Sequence, residues 1–366
     1  MIGAALILLA SLLPFSQQAP TACPSLPNPL PGFSSLPVIS ALPNPWAFFD
    51  DWQCRKEQIK TLVQEYFYGY YPDHSLETVR AVRSGNTVNI TVTANGRTGT
   101  FSATLSFPSR ASPTNRVPVV INPGLIDTTV FLGSGVALAT FNVNTVAADS
   151  SSKTGAFWNL YNGRDIGVLT AWAWGYHRII DALTQVAPEI DLQRIGVTGC
   201  SRWGKAALAA GIFDERVTLS IPMSSGIEGV GPWRFFFEQD GANEKIENIY
   251  GVFPYWSSSK LGQFTSDAHR LPFDAHFLAI LVAPTNPQGE ASVTYSAAHA
   301  VYQWLGVGDK VGVSVRPGGH CDNSGYSDIR DFMNKIFFNR TTTRDYTSIS
   351  PYTPYTQAFP WINDAP

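Results

Sequence analysis

Two early stretches, Thr87–Thr93 and Gly99–Phe107, alternate strictly between polar and apolar residues. That period of two predicts half-buried strands, and Asn95-Gly96 between them predicts a tight hairpin turn. Upstream, Cys54, Ile59, Leu62, Val63 and Tyr66 recur at helical spacing and predict a helix within 50–70. Val117–Ile121 is instead continuously apolar and ends at Asn122-Pro123-Gly124, as expected of a parallel strand buried on both faces. From there the pattern switches back and forth. Strands are predicted at Val136–Phe141, Arg194–Thr198, Val217–Ile221 and Val311–Val315. Helices are predicted at Leu169–Thr184, Arg202–Ile212 and Ile329–Phe338. Strand–helix alternation predicts an α/β fold, a doubly wound and mostly parallel sheet preceded by an antiparallel hairpin. There is no internal repeat and no flexible linker, so a single domain over 20–366 is expected, with a Pro- and Ser-rich arm at 20–45.

The apolar run Ala4–Leu13 is too short to span a bilayer, and small and polar residues follow it up to Ala19. It reads as a secretory signal over 1–19, which predicts a secreted, extracellular protein with no membrane partner. A net charge of -3 gives no reason to expect nucleic acid. Four cysteines can pair in three ways. Cys23 and Cys54 bracket the N-terminal arm, whereas Cys200 and Cys321 flank the two most reactive-looking residues, and the pairing Cys23–Cys54 with Cys200–Cys321 is favoured on that basis. Sequons at Asn89 and Asn339 suit glycosylation of a secreted chain.

The candidate chemistry lies beside the second cysteine pair. Ser201 stands where the apolar strand 194–198 runs into a small-residue helix, in Gly199-Cys200-Ser201-Arg202-Trp203-Gly204. Such a turn lifts a hydroxyl out at the carboxyl end of a sheet and points the first helical N–H groups at a substrate oxygen. The second glycine is displaced by one from the usual G-x-S-x-G spacing, and a serine that merely caps the helix is the competing reading. Gly199 and Gly204 are expected where helix and sheet pack tightly. His320 follows the last predicted strand, where doubly wound hydrolases keep their base. Of the six histidines only His320 has that placement; His177, His276 and His299 fall in or near helices and read as packing groups. A Cys200–Cys321 bond would hold the serine and histidine loops together.

At this point the sequence resembles a known family. Gly-Val-Thr-Gly-Cys-Ser-Arg-Trp-Gly-Lys (196–205) is similar to the nucleophile signature of fungal glucuronoyl esterases, carbohydrate esterase family fifteen. Further similar stretches are Leu169–Gly175, Arg178–Leu183, Phe213–Arg216, Trp233-Arg234, Leu271–His276 and Gly318–Cys321. The resemblance implies an α/β-hydrolase fold and hydrolysis of esters between 4-O-methyl-glucuronic acid on xylan and lignin alcohols. It implies Ser201 as nucleophile, His320 as base, Arg202 on the oxyanion, Lys205 on sugar hydroxyls, and both disulfides. No cofactor or metal is implied, and a monomer is expected.

The acid departs from the family pattern. Family members carry a Glu-Ser-Gly acid after the strand that follows the nucleophile helix; here the position is Ser224, and Glu228 is the nearest carboxylate downstream. A second family position follows the next strand, but roughly a dozen residues, about one strand with its loop, are missing after Ala283-Pro284. Either Ala279–Ala283 is recruited as the replacement strand, leaving Asn286 or Glu290 nearby, or the gene model has lost an exon segment. Lys245 and Val252 stand where two family substrate contacts are expected. Three readings follow: a glucuronoyl esterase, an esterase for acetyl or feruloyl groups, and a carbohydrate-binding homologue with weakened catalysis.

Overall fold

The computed structural model describes residues 23, 26–27, 29–45, 52–124, 126–235, 244–282, 291–315, 319–350 and 356–363. The expected signal segment lies outside the described residues.

The first α-helix among the described residues is α1 (Trp52–Val63), continued by a π-helical turn over Gln64–Tyr68. Strands β1 (Thr78–Ser84), β2 (Thr87–Ala94) and β3 (Arg97–Ser106) follow. Asn95 and Gly96 both adopt positive φ (52° and 70°), the left-handed pair that a two-residue hairpin turn requires. Strand β1 was not anticipated. Its sequence, Thr-Val-Arg-Ala-Val-Arg-Ser, alternates only between exposed and half-buried positions, so the apolar signal is weak.

The remaining strands are β4 (Val117–Asn122), β5 (Ala137–Phe141), β6 (Ile190–Cys200) and β7 (Val217–Met223). Between β4 and β7 lie helices α2 (Thr128–Gly133), α3 (Val143–Val146), α4 (Ala156–Tyr161), α5 (Val168–Val186) and α6 (Arg202–Phe213). Helices α7 (Ile246–Val252), α8 (Ala275–Leu281), α9 (Ala291–Trp304) and α10 (Tyr326–Phe338) follow β7. The seven strands form one sheet in the order β1-β2-β3-β5-β4-β6-β7. Pairing is antiparallel from β1 to β5 and parallel among β5, β4, β6 and β7. Successive residues of a strand serve opposite faces. Val119, Ile121 and Val197 join the core with α5 and α6, while Val120, Leu138, Leu219 and Ile221 pack with α2 and α10. The sheet is doubly wound, an α/β fold as expected.

One expectation and one open alternative fail at the far edge. Val311–Ser314 is buried and Val315 half-buried, but 311–315 belongs to no strand; it is held by Val313 N–H donating to Tyr346 O (2.8 Å) and Ser314 Oγ donating to Asp328 (2.5 Å). Among the described residues β7 is the edge strand, with β6 on its inner side and no strand on its outer side to give 311–315 a ladder. Within Ala279–Ala283, residues 279–281 form no replacement strand either, because they continue α8, whose first N–H is capped by Asp274 (2.7 Å). A short apolar run fits either element by periodicity, and the cap decides it. Asn286 and Glu290 lie outside the described residues.

Asp274 also explains why Trp233-Arg234 and Leu271–His276 occur together. Arg234 is fully buried against Asp274 (2.7 Å) and donates to Phe273 O (2.7 Å). His276 Nε2 bonds Pro43 O (2.9 Å), and burial pushes its imidazole down to about 4, so it acts as a neutral packing group. His177 is likewise buried in α5 between Tyr71 OH (2.5 Å) and Ala210 O (2.8 Å). The arm is clasped on its other side by Leu42 N–H to Ala358 O (2.6 Å) and Trp361 Nε1 to Leu42 O (2.8 Å).

Candidate active site

Strand β6 enters the turn buried between β4 and β7, with Thr198 Oγ1 donating to Ile221 O (2.9 Å) and Tyr176 OH to Thr198 O (2.9 Å). Ser201 then takes φ 59° and ψ -127°, a strained conformation for a residue with a Cβ. Its N–H donates to Met223 O at the end of β7 (2.9 Å). Its hydroxyl makes no capping bond to α6. That removes the competing reading of Ser201 as a helix cap. Close packing forces the neighbouring glycines: a Cβ on Gly199 would lie 2.5 Å from Trp203 O, and one on Gly204 2.6 Å from Met223 O. The displaced second glycine is therefore where α6 touches β7.

Cys200 and Cys321 are bonded, with Cα atoms 5.8 Å apart, and Cys23 is bonded to Cys54. Ser201 and His320 each adjoin one end of the first bridge, so their Cα atoms are within about 13 Å. His320 is exposed on the turn before α10, and Gly319 N–H donates to the Asp322 carboxylate. No hydrogen bond joins the imidazole to Ser201 or to a carboxylate among the described residues.

Glu228, the carboxylate expected as the acid, is turned into the core. It is fully buried at φ 64°, and neither carboxylate oxygen has a hydrogen-bond partner among the described residues. Burial pushes its carboxyl up to about 8, opposed by Lys205 and reinforced by Glu244. Lys205, expected on sugar hydroxyls, is 3% exposed and donates to Ser225 O (2.6 Å) and to Ile227 O, which anchors the loop after β7. Of the two positions expected to touch substrate, Lys245 and Val252 are both exposed at the ends of α7.

Arg202, the first residue of α6, is 37% exposed and pairs through Nη1 with Asp149 Oδ2 (2.5 Å). Its guanidinium lies 5.1 Å from the ring centroids of both Phe253 and Trp256. Asp149 and Trp256 were missed in the sequence. The available signal was position: Asp149 lies in the loop beyond the carboxyl end of parallel strand β5, where doubly wound sheets collect functional groups. Asn89 on β2 and Asn339 are both exposed. Asn339 also ends α10 in a left-handed conformation (φ 50°, ψ 37°), a backbone role that favours Asn independently of any glycan.

A serine on a strained strand–helix turn, covalently stapled to a histidine loop, is the layout of a serine hydrolase. Residues 90–306 match the family model described as glucuronyl esterase, fungi. The chain is 35% identical to 4-O-methyl-glucuronoyl methylesterase 1 of Phanerochaete chrysosporium, over 86% of this chain and 72% of that one. It is 33% identical to the 4-O-methyl-glucuronoyl methylesterase of Schizophyllum commune, over 94% and 93% of the two chains. Among solved structures it is similar (TM-score 0.80, 29% identity, 90% and 96% coverage) to a serine-to-alanine mutant of glucuronoyl esterase from Sporotrichum thermophile in complex with methyl 4-O-methyl-β-D-glucopyranuronate. With the family model spanning more than half of its length, the chain belongs to the fungal glucuronyl esterase family.

Proposed function

We propose that this protein is a serine carboxylic-ester hydrolase that cleaves glucuronoyl esters, those joining 4-O-methyl-glucuronic acid on xylan to lignin alcohols, through an acyl-enzyme. The observation that carries this reading is Ser201 on its strained turn, uncapped and stapled through Cys200–Cys321 to the loop of His320. Ser201 Oγ adds to the ester carbonyl carbon while His320 takes the hydroxyl proton. The oxyanion is held by the N–H groups at the start of α6 and by Arg202. Collapse expels the alcohol with the proton from His320. Water, deprotonated by His320, then attacks the acyl carbon and releases the uronic acid and free Ser201. Lys205 shapes the loop after β7 and acts on the sugar through that loop.

Two disulfides fit an oxidising compartment, and no helix among the described residues is long and apolar enough to cross a membrane. We read the protein as extracellular, monomeric and glycosylated at Asn89 and Asn339. A second reading, a carbohydrate-binding homologue with weakened catalysis, draws on two gaps among the described residues: no carboxylate is hydrogen-bonded to His320, and the Glu228 carboxylate has no hydrogen-bond partner. Comparing turnover of benzyl and methyl glucuronate with acetyl and feruloyl esters separates these readings. Selective glucuronate turnover supports the proposal. Preference for acetyl or feruloyl esters overturns the substrate, and binding of glucuronoxylan without any turnover overturns the activity.

A further inference from the structure

We infer that Asp149 is a positioning residue that fixes the Arg202 guanidinium at the oxyanion site and couples it to the aromatic segment 253–256. The inference rests on the oxyanion role proposed for Arg202. A half-exposed arginine loses considerable side-chain freedom when held in one place, so something must hold it. Both oxygens of Asp149 are engaged for that purpose. Oδ2 accepts from Arg202 Nη1 (2.5 Å), and Oδ1 accepts from Trp256 Nε1 (2.8 Å). The backbone carbonyl of the same residue accepts from Tyr255 OH (3.1 Å).

These partners are themselves anchored. Trp256 is 3% exposed, and its ring stacks on Phe253 at 4.0 Å and 4°. Tyr255 O and Trp256 O accept the N–H groups of Val168 (2.9 Å) and Leu169 (3.1 Å) at the start of α5. On the other side, Asp149 N–H donates to Asn144 Oδ1 (3.0 Å), and Trp172 Nε1 donates to Ala147 O (2.8 Å). Most exposed ion pairs exchange freely with water and contribute little. This one ends on a buried indole, so it transmits a fixed direction to the guanidinium. The carboxylate offsets part of the arginine's charge, which weakens its pull on an oxyanion. Orientation outweighs that loss, because a displacement of about 1 Å in an active site can cost on the order of 100-fold in rate.

The test is a set of variants assayed on benzyl glucuronate: Asp149→Ala, Asp149→Asn, Trp256→Phe and Arg202→Ala, together with Asp149→Ala/Arg202→Ala. Asp149→Ala is expected to lower kcat by about 10- to 100-fold with KM changed less than about threefold, in line with loss of one oxyanion donor. Asp149→Asn, which keeps an acceptor for the indole, and Trp256→Phe, which keeps the ring stack, should each cost less. In the Arg202→Ala background Asp149→Ala should cost nothing further. Should Arg202→Ala lower kcat while Asp149→Ala leaves it alone, the inference is overturned; equal losses from Asp149→Ala in both backgrounds overturn it too. An unchanged kcat in Arg202→Ala overturns instead the oxyanion role beneath it. If Asp149→Ala fails to fold, Trp256→Phe with and without Arg202→Ala decides by the same comparison.

Discussion

The two halves of the proposed catalytic pair are built to different standards. On the nucleophile side, every constraint points to one conformation. Ser201 is fixed by a bond to β7, by glycines that let α6 press on its neighbours, and by a strand buried on both faces. On the base side, His320 stands exposed on a turn, beyond a segment, 311–315, that has no strand to pair with. Glu228 is sealed in the core, and neither of its carboxylate oxygens has a hydrogen-bond partner among the described residues. The contrast teaches that the elbow and the staple hold Ser201 and His320 in one neighbourhood while no carboxylate among the described residues is hydrogen-bonded to the imidazole. Rate is then limited by how well the imidazole is aimed.

Breaking the staple tests the contrast most severely. Replacing Cys200 and Cys321 by Ser opens a link between residues 121 apart in sequence and should cost about 2–5 kcal/mol of stability, together with most of the activity. The Cys23–Cys54 link spans 31 residues, so its loss should cost about 1 kcal/mol less and leave kcat of the folded enzyme intact. Denaturant unfolding and steady-state kinetics on both pairs check this. Equal kinetic damage from the two would mean that the Cys200–Cys321 bridge has no special role in the site.

On the nucleophile side, Gly204→Ala places a Cβ 2.6 Å from Met223 O, the carbonyl that also receives Ser201 N–H. A destabilisation of about 1–3 kcal/mol is expected, with a fall in kcat because the elbow must shift. Unchanged unfolding and kinetics would show that the elbow has slack. On the base side, Ser224→Glu places a carboxylate where the sequence resemblance leads one to expect the acid, and should raise kcat by about tenfold by orienting and stabilising the imidazolium. No gain would show that aim is not limiting.

The smallest effect concerns Glu228. Its carboxyl is pushed from 4.5 to about 8 by burial. Between those pH values the unfolded chain has released a proton that the folded chain keeps, so stability from this group falls as pH rises through the window. Glu228→Gln removes the dependence. Its Tm advantage over the parent should be small near pH 5 and grow to a few degrees by pH 8. A gap constant with pH would contradict the sign.

Much of this was legible in the sequence because it is local. Alternation and Asn95-Gly96 specify the hairpin, and the two-faced apolar runs specify β4 and β6. The glycines around Ser201 announce a close helix–strand contact. What was missed depends on partners far along the chain. Val311–Val315 carries a strand's pattern but lacks the neighbour that would make it one. Residues 275–281 read equally as strand or helix until the Asp274 cap is known. Glu228 is near the site in sequence, yet its loop turns the carboxylate inward. Asp149 finds Arg202 53 residues away, a pairing that no periodicity reveals.

The most direct test of the account is covalent labelling of the intact protein with a fluorophosphonate, followed by peptide mass mapping. The account predicts one adduct, on Ser201, absent from Ser201→Ala and formed far more slowly in His320→Ala. An unlabelled protein, an adduct on another residue, or labelling indifferent to His320 would contradict it.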